Sequence, residues 1–93
     1  AAPPEPFRDL AILFAVMHQV EDGDPAALSD RLQPVAQSNA PFRPTALELQ
    51  ALLARKQGDT ERAVELYKQV ADGPDVPPAQ RQRATQMLGL LEG

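Results

Sequence analysis

The chain has 93 residues, a net charge of −4, 4% aromatic residues and no cysteine. This length allows one domain with a modest core, and a composition rich in Ala, Leu and Gln favours helix over strand. The acidic net charge argues against nucleic-acid binding, and the lack of cysteine excludes disulfides and thiolate metal sites. The longest apolar run, residues 10–17, is shorter than the roughly 20 residues of a membrane span.

A proline-rich linker and a first helix open the chain. Residues 1–6 contain three prolines and no periodic apolar residue, so we expect an extended linker there. Because the chain starts at an alanine and not at a methionine, we also expect it to be a piece of a longer protein. The apolar spacing predicts helix one over residues 7–21, closed by Gly23 in the left-handed conformation that glycine adopts without strain.

Helix two is predicted to start at Pro25, after an N-cap at Asp24. Pro34 lacks a backbone donor and clashes with the preceding turn, so we expect this helix to kink or stop there. Repeat one would then span residues 7–36. The predicted buried face of helix two consists of Leu28, Leu32, Val35 and Ala36.

Helix three follows a polar connector, and Pro41 and Pro44 both fit its first turn, where backbone donors have no intrahelical acceptor. It is predicted to end near Gln57, where Gly58 and Asp59 repeat the stop and N-cap signals seen at the end of helix one. Its apolar positions are Ala46, Leu47, Leu49, Leu52, Leu53 and Ala54.

Helices four and five complete the predicted all-α chain of five helices. Helix four covers residues 60–72 and ends before Gly73, and helix five opens at Pro78. Repeat two therefore spans residues 41–72, and residues 78–92 form a capping helix. The apolar face of helix four comprises Ala63, Val64, Leu66, Tyr67, Val70 and Ala71, and that of helix five comprises Ala84, Met87, Leu88 and Leu91.

A period of 35 residues relates these segments, because Gly23, Gly58 and Gly93 are each 35 positions apart and each follows apolar residues at helical spacing. A helix-turn-helix unit of about 34 residues is one of few architectures with such a period. The sequence thus predicts two helical hairpins and a closing helix. Identical residues at this spacing are Phe7 and Phe42, Arg8 and Arg43, Ala11 and Ala46, Asp24 and Asp59, Val35 and Val70, and Ala36 and Ala71.

The second unit resembles the tetratricopeptide repeat. The residues that carry the resemblance are Ala51 in the first helix, Gly58 and Asp59 at the turn, Ala63, Tyr67 and Val70 in the second helix, and Pro74 after it. The first unit departs from the family, with Leu28 and Leu32 where the family prefers alanine and an aromatic residue. The resemblance implies right-handed stacking of hairpins, with Tyr67 filling the gap toward the next unit.

Residues 6–93 also resemble the C-terminal part of bacterial proteins that carry one N-terminal membrane helix followed by tetratricopeptide-like helices. The phrases GDPAAL at residues 23–28 and FRPTALEL at residues 42–49 carry this resemblance. Those proteins are relatives of the ancillary subunit of the Sec translocon. The resemblance implies a membrane-anchored parent protein whose helical domain lies on the periplasmic side of the inner membrane and assists other proteins. Because residues 1–93 contain no apolar run long enough to span a membrane, we expect the fragment itself to be soluble.

The sequence does not predict an enzyme. The single histidine, His18, lies in helix one near Glu21 and Asp22, and the two serines have no neighbouring base. These carboxylates and Asp24 lack the alternating oxygen ligands of a calcium loop, and helix capping accounts for Asp24. We therefore expect no catalytic residues, no metal and no cofactor.

Helix one is apolar around nearly its full circumference, so it should be buried on more than one side. One side can pack on helices two and three. The other side needs a preceding repeat, a second copy of the chain or a bound peptide helix, and an isolated fragment should associate through it. Its apolar residues are Phe7, Leu10, Ala11, Ile12, Leu13, Phe14, Ala15, Val16, Met17 and Val20.

In tetratricopeptide arrays the first helix of each unit lines the concave face, so helices one, three and five are expected to offer a partner-binding surface. A mixed apolar and charged surface of this kind suits an extended or helical peptide. Glu48 and Arg55 should face solvent and be dispensable for folding, whereas Leu52 and Met87 fit equally well as core residues. The predicted surface consists of Leu10, Leu13, Met17 and Val20, then Thr45, Glu48, Leu52 and Arg55, then Gln80, Arg83, Met87 and Leu90.

The function favoured by the sequence is a protein-interaction or chaperone-like scaffold module of a bacterial envelope protein. Its partners would be other proteins or peptides, with no nucleic acid and no direct membrane contact. One alternative is a self-association domain that dimerises through helix one, and a remote alternative is an accessory domain of an enzyme.

Overall fold

Five helices joined by short connections make up residues 5–37 and 41–92, the part of the chain that the computed structural model describes. No strand occurs in these ranges, so the predicted all-α fold is confirmed. Helices α2, α4 and α5 begin at the predicted residues. The remaining helix ends lie within two residues of their predicted positions. The helices are α1 (Glu5–Gln19), α2 (Pro25–Gln37), α3 (Arg43–Lys56), α4 (Thr60–Ala71) and α5 (Pro78–Glu92).

Each helix packs mainly against the helices next to it in sequence, α1 on α2, α2 on α3, α3 on α4 and α4 on α5. The starts of α2 and α4 are 35 residues apart, and so are the starts of α3 and α5. This offset equals the period of the glycines, which supports equivalent helical hairpins stacked side by side. Gly93, the third glycine of the series, lies outside the described residues.

The core is a continuous apolar layer to which all five helices contribute. Ala51 and Ala63 are fully buried where α3 meets α4, and their small side chains allow the two helices to pack closely. The predicted buried face of α2 is confirmed. Large buried apolar side chains are Leu13, Val16, Leu28, Leu32, Val35, Leu47, Leu53, Leu66, Tyr67, Val70 and Val76.

The turn between α3 and α4 has the predicted stop and cap. Gly58 has a φ of +78°, a left-handed conformation that side chains with a Cβ rarely adopt. The Asp59 carboxylate accepts a hydrogen bond of 3.1 Å from the backbone N–H of Arg62, and this satisfies one of the free donors at the start of α4.

The turn between α1 and α2 uses its glycine differently. Gly23 does not have a positive φ, so the expectation of a left-handed residue there is wrong. A Cβ at this position would lie 2.8 Å from the Gln19 carbonyl oxygen and 2.9 Å from Cδ1 of Leu28, so glycine is needed for the close approach of the turn to the last backbone carbonyl of α1. Asp24 is the expected N-cap, and its Oδ1 accepts from the Ala26 N–H at 3.3 Å.

The helix expected to kink or stop near Pro34 continues through this proline and ends at Gln37. Pro34 itself is exposed, and the two residues after it, Val35 and Ala36, are buried in the core. Packing of this last turn outweighs the backbone hydrogen bond that the proline removes.

Two further expectations about prolines and helix starts are corrected. Pro44 is the second residue of α3, as expected, but Pro41 lies in a turn before the helix begins at Arg43. Helix α1 begins at Glu5, so the helix takes in the last two residues of the predicted linker. Residues 1–4 of that linker lie outside the described part of the chain.

Candidate functional site

A cleft of about 480 Å³ lies between α1, α3 and α5, the three helices predicted to share one face. Seven of the residues predicted for the concave surface line it: Met17, Thr45, Glu48, Leu52, Gln80, Arg83 and Met87. Four further residues complete the lining: Leu49, Tyr67, Ala84 and Gln86.

Helices α3 and α5 are joined across this cleft by two polar contacts. Gln80 Nε2 donates to Thr45 Oγ1 at 3.3 Å, and Arg83 Nη2 donates to both carboxylate oxygens of Glu48 at 3.2 and 3.3 Å. In each pair the partners are 35 residues apart. Equivalent positions of successive repeats therefore contact each other, as parallel stacking of the repeats requires.

The pair between Glu48 and Arg83 changes the expected role of Glu48. Its side chain is 23% exposed and bound by Arg83, whose own side chain is 58% exposed, so Glu48 does not stand free in solvent. An ion pair with this much access to water contributes at most about 1 kcal/mol to stability. The pair therefore contributes little to the stability of the fold.

The other predicted surface residues do not line the cleft. Leu13 is buried in the core, and Leu10 and Val20 are half-buried on α1. Arg55 and Leu90 are exposed beyond the ends of the cleft lining. Because α1 is apolar on nearly all sides, its sequence did not reveal which of its faces turns inward.

The residues that the sequence analysis left out of the surface had recognisable signals. Leu49 and Ala84 were assigned to apolar faces, and Tyr67 to the gap between units. Gln86 lies three residues after Arg83 on α5, which is the spacing of one helix face. Taking both the i+3 and the i+4 neighbour of Arg83 would have included Gln86 beside Met87.

An exposed apolar strip on α1 adjoins the cleft. Phe7 is 66% exposed, Phe14 is 61% exposed and Met17 is 47% exposed. Together with the half-buried Leu10 these residues recur every three or four positions, so they form one face, called here the α1 strip. Met17 belongs to both the α1 strip and the cleft lining, so the two apolar surfaces are continuous.

Groups that could support chemistry are sparse in the described part of the chain. His18 is exposed on α1. Among residues 5–37 and 41–92, no three side chains of His, Asp or Glu are grouped so that they could hold a metal ion. None of the five helices is both long and apolar enough to cross a bilayer.

No protein-family model, curated protein or solved structure matches this chain. The cleft combines apolar side chains with a few polar groups and one ion pair. Such an arrangement can bind and orient an apolar ligand.

Proposed function

We propose that this chain is a protein-interaction module that binds an apolar segment of a partner protein in the cleft. The observation that carries this proposal is the continuity between the cleft and the α1 strip, an apolar surface that no other part of residues 5–37 and 41–92 covers. Contiguous exposed apolar surface of this kind is typical of sites that bind other proteins.

The cleft lining suits a helical or extended peptide. Leu49, Leu52 and Met87 offer apolar contacts and are only half-buried, so their side chains remain accessible. Met17 and Met87 are flexible and polarisable, and methionine-rich surfaces adapt to different partner side chains. The volume falls within the range of about 300–1,000 Å³ that is usual for ligand pockets.

The polar groups of the cleft would set the orientation of the bound segment. Thr45, Gln80 and Gln86 line the cleft beside the apolar residues, and Arg83 uses only its Nη2 to bind Glu48 among the described residues. The rest of the Arg83 guanidinium is left to bind carbonyl or carboxylate oxygens of a partner. We expect the cleft to have modest specificity for the sequence of the partner segment, because only a few polar groups accompany a mainly apolar contact.

The cellular setting of the module is proposed from the sequence resemblance alone. The likeness to relatives of the ancillary Sec translocon subunit supports a bacterial envelope protein that acts on partner proteins at the periplasmic side of the inner membrane. Cell fractionation with an antibody to residues of this domain tests the location. Recovery in the cytoplasm would exclude it.

The binding test compares Met17→Glu with Leu90→Glu, two changes of an exposed apolar side chain to a carboxylate. Met17 lines the cleft, whereas Leu90 is 77% exposed and does not. A panel of fluorescent amphipathic peptides with Leu and Met faces would be titrated and followed by anisotropy. We expect Met17→Glu to weaken binding at least about tenfold, since a buried charge replaces an apolar contact.

The Leu90→Glu variant should bind peptides like the unchanged protein. Circular dichroism would show whether both variants keep the same helix content. Equal binding by the two variants, with both folded, would remove the cleft as the binding site.

A second candidate function is self-association through the α1 strip, supported by the exposure of Phe7 and Phe14. Light scattering over a dilution series would measure the molar mass of the chain and of Phe14→Ser. Phe14 does not line the cleft, so this change separates dimerisation from peptide binding. A dimer that Phe14→Ser converts to a monomer favours self-association, and a monomer at all concentrations excludes it.

A further inference from the structure

A second, smaller pocket of about 210 Å³ lies between α2, α3 and α4. It shares no lining residue with the cleft. Because four glutamines contribute to it, we call it the glutamine pocket. Its lining residues are Gln33, Ala36, Gln37, Arg43, Leu47, Gln50, Arg62, Leu66 and Gln69.

The charge of the glutamine pocket is opposite to that of the chain. Arg43 and Arg62 line it, and no Asp or Glu does, although the chain has 13 acidic and 9 basic residues. Within residues 5–37 and 41–92, the hydrogen bond of Arg43 Nη2 is a long one of 3.5 Å, to Gln69 Oε1. Arg62 Nη1 lies 3.3 Å from Glu65 in an exposed ion pair, which water screens and a competing anion can replace.

Hydrogen bonds around Gln50 determine which ends of the neighbouring amides are free. The Gln50 side chain is buried, and its Nε2 donates to the Ser29 carbonyl at 3.1 Å and to Gln33 Oε1 at 2.9 Å. Since Gln33 accepts through its oxygen, its Nε2 group is left without a partner among the described residues.

Gln69, at the other side of the pocket, also accepts through its side-chain oxygen. Its Oε1 accepts from Arg43, so its Nε2 is also a free donor within the described part of the chain. The free ends of Gln33 and Gln69 are therefore both N–H donors, as are the two guanidinium groups. A ligand that only accepts hydrogen bonds matches this set.

The donors fall into two groups along the helices. Arg43 and Gln69 contact each other at one end. At the other end, Gln50 lies seven residues after Arg43 on α3 and donates to Gln33, and Arg62 lies seven residues before Gln69 on α4. Seven residues rise about 10 Å along a helix, so the two donor groups are separated by about two turns.

The floor between the two groups is apolar. Ala36, Leu47 and Leu66 line the middle of the pocket and are buried. An apolar floor keeps water away from one side of a bound anion, and this strengthens its attraction to the flanking guanidinium groups.

We propose that the glutamine pocket binds a small oxyanion ligand whose negatively charged oxygens reach both donor groups. The ligand chemistry is that of a multivalent phosphate or carboxylate. This site does not depend on the peptide-binding role of the cleft, since none of its residues lines the cleft.

The test measures the melting temperature of the full chain in sodium tripolyphosphate, sodium citrate and sodium chloride at equal ionic strength. We expect one or both multivalent anions to raise the melting temperature with increasing concentration, because a ligand that binds only the folded state stabilises it. A response to tripolyphosphate alone identifies phosphate as the ligand class, and a response to citrate alone identifies carboxylate. No increase over chloride with either anion would overturn the proposal.

A matched pair of variants separates the pocket from general charge effects. Gln69→Glu puts a carboxylate into the pocket, and Gln82→Glu makes the same change at an exposed residue of α5 outside it. We expect the dissociation constant of the stabilising anion to rise about tenfold or more in Gln69→Glu, since a donor is lost and a like charge is added. Equal weakening in Gln82→Glu would refute the site.

Nuclear magnetic resonance provides a readout that folding stability does not affect. The side-chain amide signals of Gln33 and Gln69 should shift on titration with the anion in the unchanged protein. The amide signal of Gln82 should stay in place. Shifts confined to residues outside the glutamine pocket would contradict the assignment of the site.

Discussion

Replacing the turn glycines tests whether two sequence-equivalent positions are glycine for different physical reasons. Gly58 has a φ of +78°, and a Cβ added there has no atom within 4 Å. Gly23 has no positive φ, but an added Cβ would lie 2.8 Å from a backbone carbonyl oxygen and 2.9 Å from Leu28 Cδ1. The first position is therefore limited by backbone conformation and the second by space.

The expected free energies of unfolding follow from these two causes. At Gly58, alanine meets a left-handed penalty of about 1–2 kcal/mol, which the reduced entropy of the unfolded chain offsets by about 0.4–1 kcal/mol. At Gly23, the contact with a backbone oxygen forces the turn to shift, and overpacking of this kind costs about 1–3 kcal/mol before the same offset. The expected losses in free energy of unfolding for Gly58→Ala and Gly23→Ala therefore overlap, so the alanine variants alone do not separate the two causes.

Asparagine separates the two cases. It adopts the left-handed conformation more readily than alanine does, so Gly58→Asn should be more stable than Gly58→Ala. Its larger side chain brings no relief where space is limiting, so Gly23→Asn should be no more stable than Gly23→Ala. Gly89→Ala is the control, because Gly89 lies inside α5 with open space around it and should gain about 0.5–1 kcal/mol.

Urea unfolding followed by far-ultraviolet circular dichroism would measure all five variants and the unchanged chain. The result that would refute this reasoning is Gly58→Asn equal to or less stable than Gly58→Ala, or Gly23→Asn as stable as the unchanged chain. Loss of stability in Gly89→Ala would show that α5 is not helical at that residue.

Two further predictions concern the core and the ion pair of the cleft. Leu32→Ala should lower the free energy of unfolding by about 2–5 kcal/mol in the same urea assay, because Leu32 is 0% exposed. The control Leu90→Ala should change the free energy of unfolding by less than about 0.5 kcal/mol, because the Leu90 side chain is 77% exposed. A double-mutant cycle with Glu48→Gln and Arg83→Gln should give a coupling energy of about 0.2–1 kcal/mol that shrinks with added salt, and a coupling above about 2 kcal/mol would contradict the solvent access of this pair.

Local signals in the sequence predicted most of the helices. Asp24 and Pro25 marked the start of α2, Gly58 and Asp59 marked the turn before α4, and Pro78 marked the start of α5. These residues act on their own backbone through φ, a missing donor or a capping oxygen, so their effect does not depend on the rest of the fold.

The cleft could be predicted in α3 and α5 but less well in α1. The predicted rows on α3 and α5 contain Glu48 and Arg83, and Thr45 and Gln80, one period apart, and the structure brings both pairs into contact, as stacking of the hairpins requires. Helix α1 is apolar on nearly every side, so periodicity does not distinguish its inward face, and Leu13 was assigned to the surface although it is buried.

By itself the sequence determined an all-α chain with a period of 35 residues, since helix propensity, caps and apolar spacing are all local properties. Only the tertiary structure decided that α2 continues past Pro34, that Gly23 is required for a close approach, and that Gln33, Gln50 and Gln69 meet in one pocket. Each of these features depends on which residues from other parts of the chain lie nearby, and the local sequence of one segment does not determine those contacts.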